Sequence, residues 1–290
     1  MKRIFIVGSI NTDFVISAPY MPAGGETVAG GGFFTARGGK GANQIIAASR
    51  LGGKVFACGC VGDDVFGKEA VEAFQKEGVE VSCVRTAAGT PTGTAVIVVT
   101  EGENRIVIDS GANAKLTKAD IDGFLKDAKA GDLYLAQLEN PIEVIGYGLQ
   151  KAKEKGMFVV FNPAPANTEI APYFAYCDLI IPNETELEIL GGAEKILEKT
   201  QATLVITLGE KGYKIVTKSG ERAYPCVKVT AVDTTAAGDT LCGGLAARLA
   251  EGQNLEEAVA FASKAASIAC TKKGAQPSIP TYQEVNEYKA

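Results

Sequence analysis

The stretch Asp233-Thr234-Thr235-Ala236-Ala237-Gly238-Asp239-Thr240-Leu241-Cys242-Gly243-Gly244 runs small residues into the start of an apolar helical segment. Ala and Gly let main-chain atoms approach a ligand closely. The unpaired N–H groups of a helix's first turn, with the macrodipole behind them, suit an anion such as the terminal phosphate of a nucleotide. Asp239 stands at that helix start, where the dipole favours its ionised form. Beside bound phosphate, a carboxylate can take the proton of an attacking hydroxyl. A plain Asp cap before an apolar helix accounts for the same residues.

Other polar clusters share this setting. Gly38-Gly39-Lys40-Gly41-Ala42-Asn43-Gln44 allows a tight backbone, with Lys40 and Asn43 as donors for hydroxyls; a glycine turn with a solvated lysine is the alternative. No G-x-x-x-x-G-K-[ST] loop and no G-x-G-x-x-G fingerprint occurs in the chain. Asn11-Thr12-Asp13 follows an apolar run and could grip sugar hydroxyls, or form an Asx turn. Gln137-Leu138-Glu139-Asn140-Pro141 offers Glu139 to a hydroxyl. In Pro182-Asn183-Glu184-Thr185-Glu186, Asn183 and Glu186 could hold hydrated magnesium and phosphate oxygens. Capped helix starts explain both segments equally well. Thr207-Leu208-Gly209-Glu210-Lys211-Gly212 could pack on a nucleotide or be an ordinary turn.

Composition narrows the chemistry. The 290 residues contain no histidine, which removes Ser-His-Asp and Cys-His catalysis and histidine-ligated metals. A net charge of −5 gives no general attraction to nucleic acid or anionic lipid, so any phosphate must be held by local geometry. The seven cysteines form no C-x-x-C and read as reduced thiols. No run approaches the length of a membrane helix, and Met1–Ile10 reads as a first strand and not a signal peptide. The expected location is the cytoplasm.

These residues need a frame. Ile4–Val7, Val55–Cys60, Leu133–Ala136, Phe158–Phe161, Leu179–Ile181 and Leu204–Thr207 read as buried strands. Ala42–Leu51, Lys68–Glu77, Lys118–Lys129, Ile142–Lys155, Glu184–Leu190, Thr240–Ala250 and Leu255–Cys270 read as helices. Apolar strands alternating with helices predict an α/β fold, a three-layer αβα sandwich around a mostly parallel sheet. Thr94–Thr100 and Arg105–Asp109, around Glu101-Gly102-Glu103-Asn104, predict a β-hairpin. Phe14 to Thr35 lacks helical period. Together they predict a small β-sheet lid, residues 12–36 and 92–110, inserted in a single domain spanning 1–290. Tyr213–Thr217 and Arg222–Cys226 predict a second hairpin at the sheet edge. Most polar clusters then fall after strands, on the edge where α/β sheets bind ligands.

The Gly38–Gln44 and Asp233–Gly244 stretches, with Asn162-Pro163-Ala164-Pro165-Ala166, resemble the ribokinase-like (PfkB) carbohydrate kinases from Gly8 to Ser278. The resemblance implies an ATP-dependent kinase acting on a sugar, ribose first, with a lid that doubles as a homodimer contact. It implies Asp239 as catalytic base and Ala236, Ala237 and Gly238 as anion hole. It implies Asn11, Thr12, Asp13, Gly39, Lys40, Gly41, Asn43 and Glu139 around the sugar. Asn183, Thr207, Gly209, Gly212 and Gly238 match nucleotide contacts, and Glu186 matches the acid that organises magnesium through water. Asp233, Thr235, Ala269, Lys272, Gly274 and Ser278 match a loop pair that favours potassium, in part through carbonyls. Ala236 stands where the wider family usually has Gly, and Gly30-Gly31-Gly32-Phe33-Phe34 is an unusual lid segment. Rival readings are a deoxyribose, fructose or nucleoside kinase, and a non-catalytic sugar sensor on the same fold.

Overall fold

Strand β1 (Arg3–Val7) sets the plan of the molecule, because its alternate residues face opposite cores. Ile4 and Ile6 join one buried cluster and Phe5 and Val7 the other. The computed structural model describes residues 1–101 and 103–289; Gly102, inside the expected hairpin turn, lies outside them.

The chain continues through β2 (Asn11–Ser17), β3 (Gly31–Gly38), α1 (Lys40–Arg50), β4 (Lys54–Gly62), α2 (Val65–Lys76), β5 (Glu80–Ala87), β6 (Gly93–Thr100) and β7 (Glu103–Asp109). Then come α3 (Lys118–Phe124), β8 (Leu133–Ala136), α4 (Ile142–Glu154), β9 (Phe158–Phe161), β10 (Leu179–Ile180), α5 (Glu184–Ile189) and α6 (Ala193–Lys199). The last elements are β11 (Thr203–Thr207), β12 (Tyr213–Thr217), β13 (Gly220–Tyr224), α7 (Ala237–Glu251), α8 (Leu255–Ala269) and α9 (Tyr282–Glu287).

The main sheet has the order β13-β12-β11-β10-β9-β8-β1-β4-β5, with β12 alone running against the rest, so that every pair is parallel except β11–β12 and β12–β13. Residues from α1, α2, α7, α8 and α9 build one core, and residues from α3, α4 and α6 build the other. This is the expected three-layer sandwich. The second sheet, β3-β2-β6-β7, has four strands. Its pairing places Asp13, Ala36, Ala95 and Ile108 in one cross-strand row. The next row on that face is Val15, Phe34, Ile97 and Ile106.

Several boundaries differ from the sequence reading. The helix expected over Lys118–Lys129 ends at Phe124, where a run of turns leads to Asp132, whose side chain accepts from the Lys129 amide and from Arg3. The helix expected from Lys68 starts at Val65, because Asp64 caps it by accepting from the Gly67 amide. The strand expected over Arg222–Cys226 is Gly220–Tyr224; Pro225 follows, with no N–H for a ladder. Strand β5 has no counterpart in the sequence reading, since its half-exposed, polar residues lie at the sheet edge. Helix α6 likewise has none.

Two glycines bring α1 and α7 together. A Cβ at Gly243 would sit 2.6 Å from the Ala47 Cβ, and one at Gly244 would sit 2.8 Å from a Leu51 methyl. The starts of these two helices therefore meet, and both carry residues singled out above.

Candidate active site

At the start of α7, Ala236 adopts a left-handed conformation, φ 61° and ψ 11°. Alanine disfavours that region by about 1 kcal/mol, so the turn is held by its surroundings. The Thr240 amide and hydroxyl both donate to the Ala236 carbonyl at 2.8 Å. The Ala237 amide donates to Thr234 at 3.2 Å. Asp239 follows in the first turn and is buried, 8% exposed.

The Asp239 carboxylate is gripped from α1. Asn43 Nδ2 donates to one oxygen at 2.9 Å and Gln44 Nε2 to the other at 3.0 Å. Gln44 Nε2 also donates to Asn162 Oδ1 at 3.0 Å, while Gln44 Oε1 accepts from Gln137 Nε2 at 2.6 Å. Asn162 donates onward to the Ile181 carbonyl at 2.7 Å. Burial pushes the Asp239 pKa up, while Lys40 and the two amides oppose it. For Lys40, burial works against the charge, but Asp239, Glu139 and Glu186 outweigh it and raise the pKa. The ammonium is thus retained beside three carboxylates.

Glu139, after β8, is tied to α1 and to the loop after β1. One oxygen accepts from the Ser9 hydroxyl at 2.5 Å and from the Lys40 amide at 3.0 Å. Gly41 is required here, because its Cβ would lie 2.4 Å from the Gly8 carbonyl carbon. Gly39 adopts φ 88° and would place a Cβ 2.8 Å from the Ser9 carbonyl oxygen. Asn11 accepts from Asn113 at 2.7 Å, and Asn113 in turn accepts from the Ile10 amide at 2.9 Å. The Asp13 carboxyl is pushed up to about 6 by burial, then by the charge of Glu139. Thr12 is buried at the start of β2.

Three hollows adjoin this cluster. One of about 410 Å³ is lined by Asn11, Asn113, Glu139, Asn140 and Ile108, so the Asp13–Ile108 face of the small sheet looks onto it. One of about 230 Å³ is lined by Lys40, Asn183, Glu186, Ala236, Gly238 and Asp239. The third, about 680 Å³, is lined by Thr207, Gly209, Gly212, Gly238, Leu241 and Ser263 among others. Thr207, Thr234, Ala237 and Gly238 line both of the last two, which meet around the start of α7. Lys40, grouped by sequence with hydroxyl binders, also extends its side chain to the Glu186 side.

Asn183 and Glu186 form a reciprocal cap of α5. The Glu186 carboxylate accepts from the Asn183 amide at 2.9 Å, and Asn183 Oδ1 accepts from the Glu186 amide at 2.8 Å. Among the described residues no group of three or more acidic, thiol or imidazole ligands could hold a metal. Asp233 accepts from Thr235 and, at 2.9 Å, from the Gly274 amide, which ties the two expected potassium loops together. Lys272 points to Glu284 at 2.8 Å, and the Ser278 hydroxyl donates to Ala275. Ala269 is fully buried at the end of α8.

Sequence reasoning missed Gln44, Gln137, Asn162, Asn113 and Ser9 as parts of this network. Gln44, Gln137 and Asn162 stand within stretches already singled out. Nothing local marks Asn113, whose side chain bonds to residues about one hundred positions away.

The arrangement joins a buried carboxylate, a retained ammonium and a bare helix start between three hollows. The pfkB family carbohydrate kinase model matches residues 1–282. The chain is 42% identical to ribokinase of Haemophilus influenzae, covering 99% of this chain and 98% of that protein. It is 40% identical to ribokinase of Schizosaccharomyces pombe, covering 99% and 97%. It is 36% identical to deoxyribokinase of Salmonella typhimurium, covering 98% of each. The ribokinase structure from Giardia lamblia aligns with TM-score 0.88 at 33% identity, covering 99% of this chain and 98% of that one. The Arabidopsis thaliana ribokinase in complex with ribose and ATP aligns with TM-score 0.86 at 29% identity, with the same coverage. With the fold and both sequence stretches in agreement, the chain belongs to the pfkB family of carbohydrate kinases.

Proposed function

We propose that this kinase transfers the γ-phosphoryl group of ATP to the 5-hydroxyl of D-ribose, giving ribose 5-phosphate and ADP. The observation that carries the reading is Asp239, a buried carboxylate held by two amides on the 230 Å³ cavity that it shares with Lys40, Glu186 and Gly238. The names of the full-length relatives and the ribose and ATP of the Arabidopsis complex support this choice of substrates.

In this reading Asn11, Thr12, Asp13, Gly39, Gly41, Asn43 and Glu139 surround the sugar, and the small sheet is the lid over it. ATP runs through the large cleft along Asn183, Thr207, Gly209 and Gly212, with its terminal phosphate on the Ala236–Gly238 amides. Asp239 accepts the hydroxyl proton as the oxygen attacks, and Lys40 balances charge on the transferred group. Positioning and charge dominate, because the transition state is loose.

Glu186 keeps one carboxylate oxygen outside its helix cap, which fits magnesium held mainly by phosphates and water. Magnesium there would neutralise phosphate charge. Potassium would sit between the tied 233–235 and 269–278 loops, held in part by carbonyls, since Ala269 and Gly274 have no side-chain oxygen and the Lys272 ammonium is itself a cation. The exposed Phe34 and Ile106 on the site-facing side of the lid support a homodimer through that sheet. Among the described residues no helix is long and apolar enough to cross a membrane.

The deoxyribokinase relative keeps deoxyribose as a second reading. An ADP-release assay over ribose, deoxyribose, fructose and nucleosides, with sodium replacing potassium in parallel, tests all of this. Sugar-dependent ADP release excludes a mere sensor. Faster turnover of another acceptor than of ribose would overturn the ribose assignment.

A further inference from the structure

Three of the chain crossings between the small sheet and the main domain meet around Asn113, a residue 1% exposed in the 3₁₀ turn Gly111–Lys115 that follows β7. Its Oδ1 accepts from the Ile10 amide, just before β2, at 2.9 Å. A main-chain N–H can only donate, so this contact fixes which way round the Asn113 amide stands. Nδ2 must then face the Ile10 carbonyl, at 3.2 Å, and Asn11 Oδ1, at 2.7 Å. With Asn11 Oδ1 taken, its Nδ2, a donor, is the amide atom left for the 410 Å³ hollow that Asn11 lines. Gly93, at the start of β6, lets the pair form, since a Cβ there would lie 2.2 Å from Asn113 Nδ2 and 2.3 Å from Asn11 Oδ1.

The neighbouring amides have the opposite polarity. Asn43 has spent its Nδ2 on Asp239, and its buried Oδ1 has no partner among the described residues. Asn140, on the same hollow as Asn11, has spent its Nδ2 on the Asn113 carbonyl at 3.2 Å, and its buried Oδ1 is also unpartnered. Asp13 and Glu139 offer only oxygens when ionised. A sugar hydroxyl has one proton to give and lone pairs to fill, so a site built of acceptors alone leaves those lone pairs bare. Of the three amide side chains, Asn11 is the one that offers a donor.

We infer that Asn113 is a positioning residue that holds Asn11 as the donor amide of the sugar site. Asn11 and Asp13 are alternate residues of β2 and face the same side. A hydroxyl between them is read twice, as an acceptor by Asn11 and as a donor by Asp13, and a sugar lacking that hydroxyl loses both bonds. Released from Asn113, the Asn11 amide can turn over and present its oxygen to a group already faced by carboxylates. The grip on the sugar is thereby set at the base of the small sheet, where the Ala112 amide also donates to the Pro91 carbonyl at 2.8 Å. The inference rests on the sugar-kinase reading above.

The test is a double-mutant cycle read by nucleotide-free calorimetry of the full chain with D-ribose, and with ADP as the control for folding. Asn113→Ala should weaken ribose by roughly 5- to 100-fold, with ADP affinity unchanged and kcat at saturating sugar little altered. In an Asn11→Ala background the same change should cost less than about threefold more. Unchanged ribose affinity, or an equal loss with and without Asn11, overturns the inference, the second because a purely structural role would not depend on Asn11. Should Asn113→Ala also lose ADP, Asn11→Asp decides. It keeps the oxygen for Asn113 and replaces the donor, so it should weaken ribose at least as much as Asn11→Ala, and parent-like affinity overturns the inference. Failure of the cycle with ribose turnover intact leaves the phosphoryl-transfer reading standing. A parent chain that ignores ribose sinks the ribose assignment instead, and the cycle is then read, with the same outcomes, on the acceptor giving the fastest ADP release.

Discussion

Gln44 Nε2 lies 3.0 Å from an oxygen of Asp239, and Gln44 Oε1 is fixed by Gln137 at 2.6 Å. The second contact decides the first, because an amide whose oxygen is already donated to must present its nitrogen to the carboxylate. The carboxylate is thereby aimed by a residue that need not touch substrate. Gln44→Ala should lower kcat by roughly 10- to 100-fold while KM for the sugar changes little. In an Asp239→Asn background the same change should cost almost nothing more. Additive losses in that double-mutant cycle would separate Gln44 from Asp239.

Asp239→Asn preserves size and burial but removes the base. Turnover should drop by at least about 100-fold, with sugar affinity in calorimetry close to that of the parent. Near-normal turnover would take Asp239 out of the proposed mechanism.

Asp13 carries a carboxyl pushed from 3.8 to about 6 by burial and by Glu139. If its ionised form accepts from sugar hydroxyls, nucleotide-free sugar affinity should weaken as pH falls through about 6, and Asp13→Asn should flatten that dependence. Stability moves the other way. The folded chain binds this proton more tightly than the unfolded one, so the group's favourable contribution is complete below 3.8 and lost as pH rises through about 6. At pH 7 Asp13→Asn should therefore raise the thermal midpoint while impairing sugar binding.

Gly243 sets the approach of α7 to α1, and its Cβ would meet the Gln44 carbonyl oxygen at 2.6 Å. Gly243→Ala should destabilise by roughly 1–3 kcal/mol and reduce kcat by disturbing the Gln44–Asp239 distance. A methyl added at Gly123, in α3, would meet only open space. Gly123→Ala is therefore the contrasting change, expected to gain up to about 1 kcal/mol with activity intact. Denaturation midpoints and steady-state rates check both.

Phe34 and Ile106 are 51% and 52% exposed on the side of the small sheet that also carries Asp13. If that face pairs with a second copy, Phe34→Asp or Ile106→Asp should shift sedimentation toward monomer and weaken sugar binding. A parent chain that sediments as monomer at micromolar concentration would remove the dimer.

The amino-acid sequence alone determined the layered frame, since apolar strands alternating with amphipathic helices have few other ways to bury both faces. It also brought forward Asp239 and Lys40, because small residues around an isolated charge carry a local signature, and Glu139, because it follows a predicted strand and precedes a predicted helix. Tertiary structure decided what those groups do to one another. Gln44 meets Asp239 across 195 positions, and Asn113 meets Asn11 across 102. Such contacts arise from helix packing and strand order, and a hydrogen bond between distant residues leaves no periodicity in the chain to read.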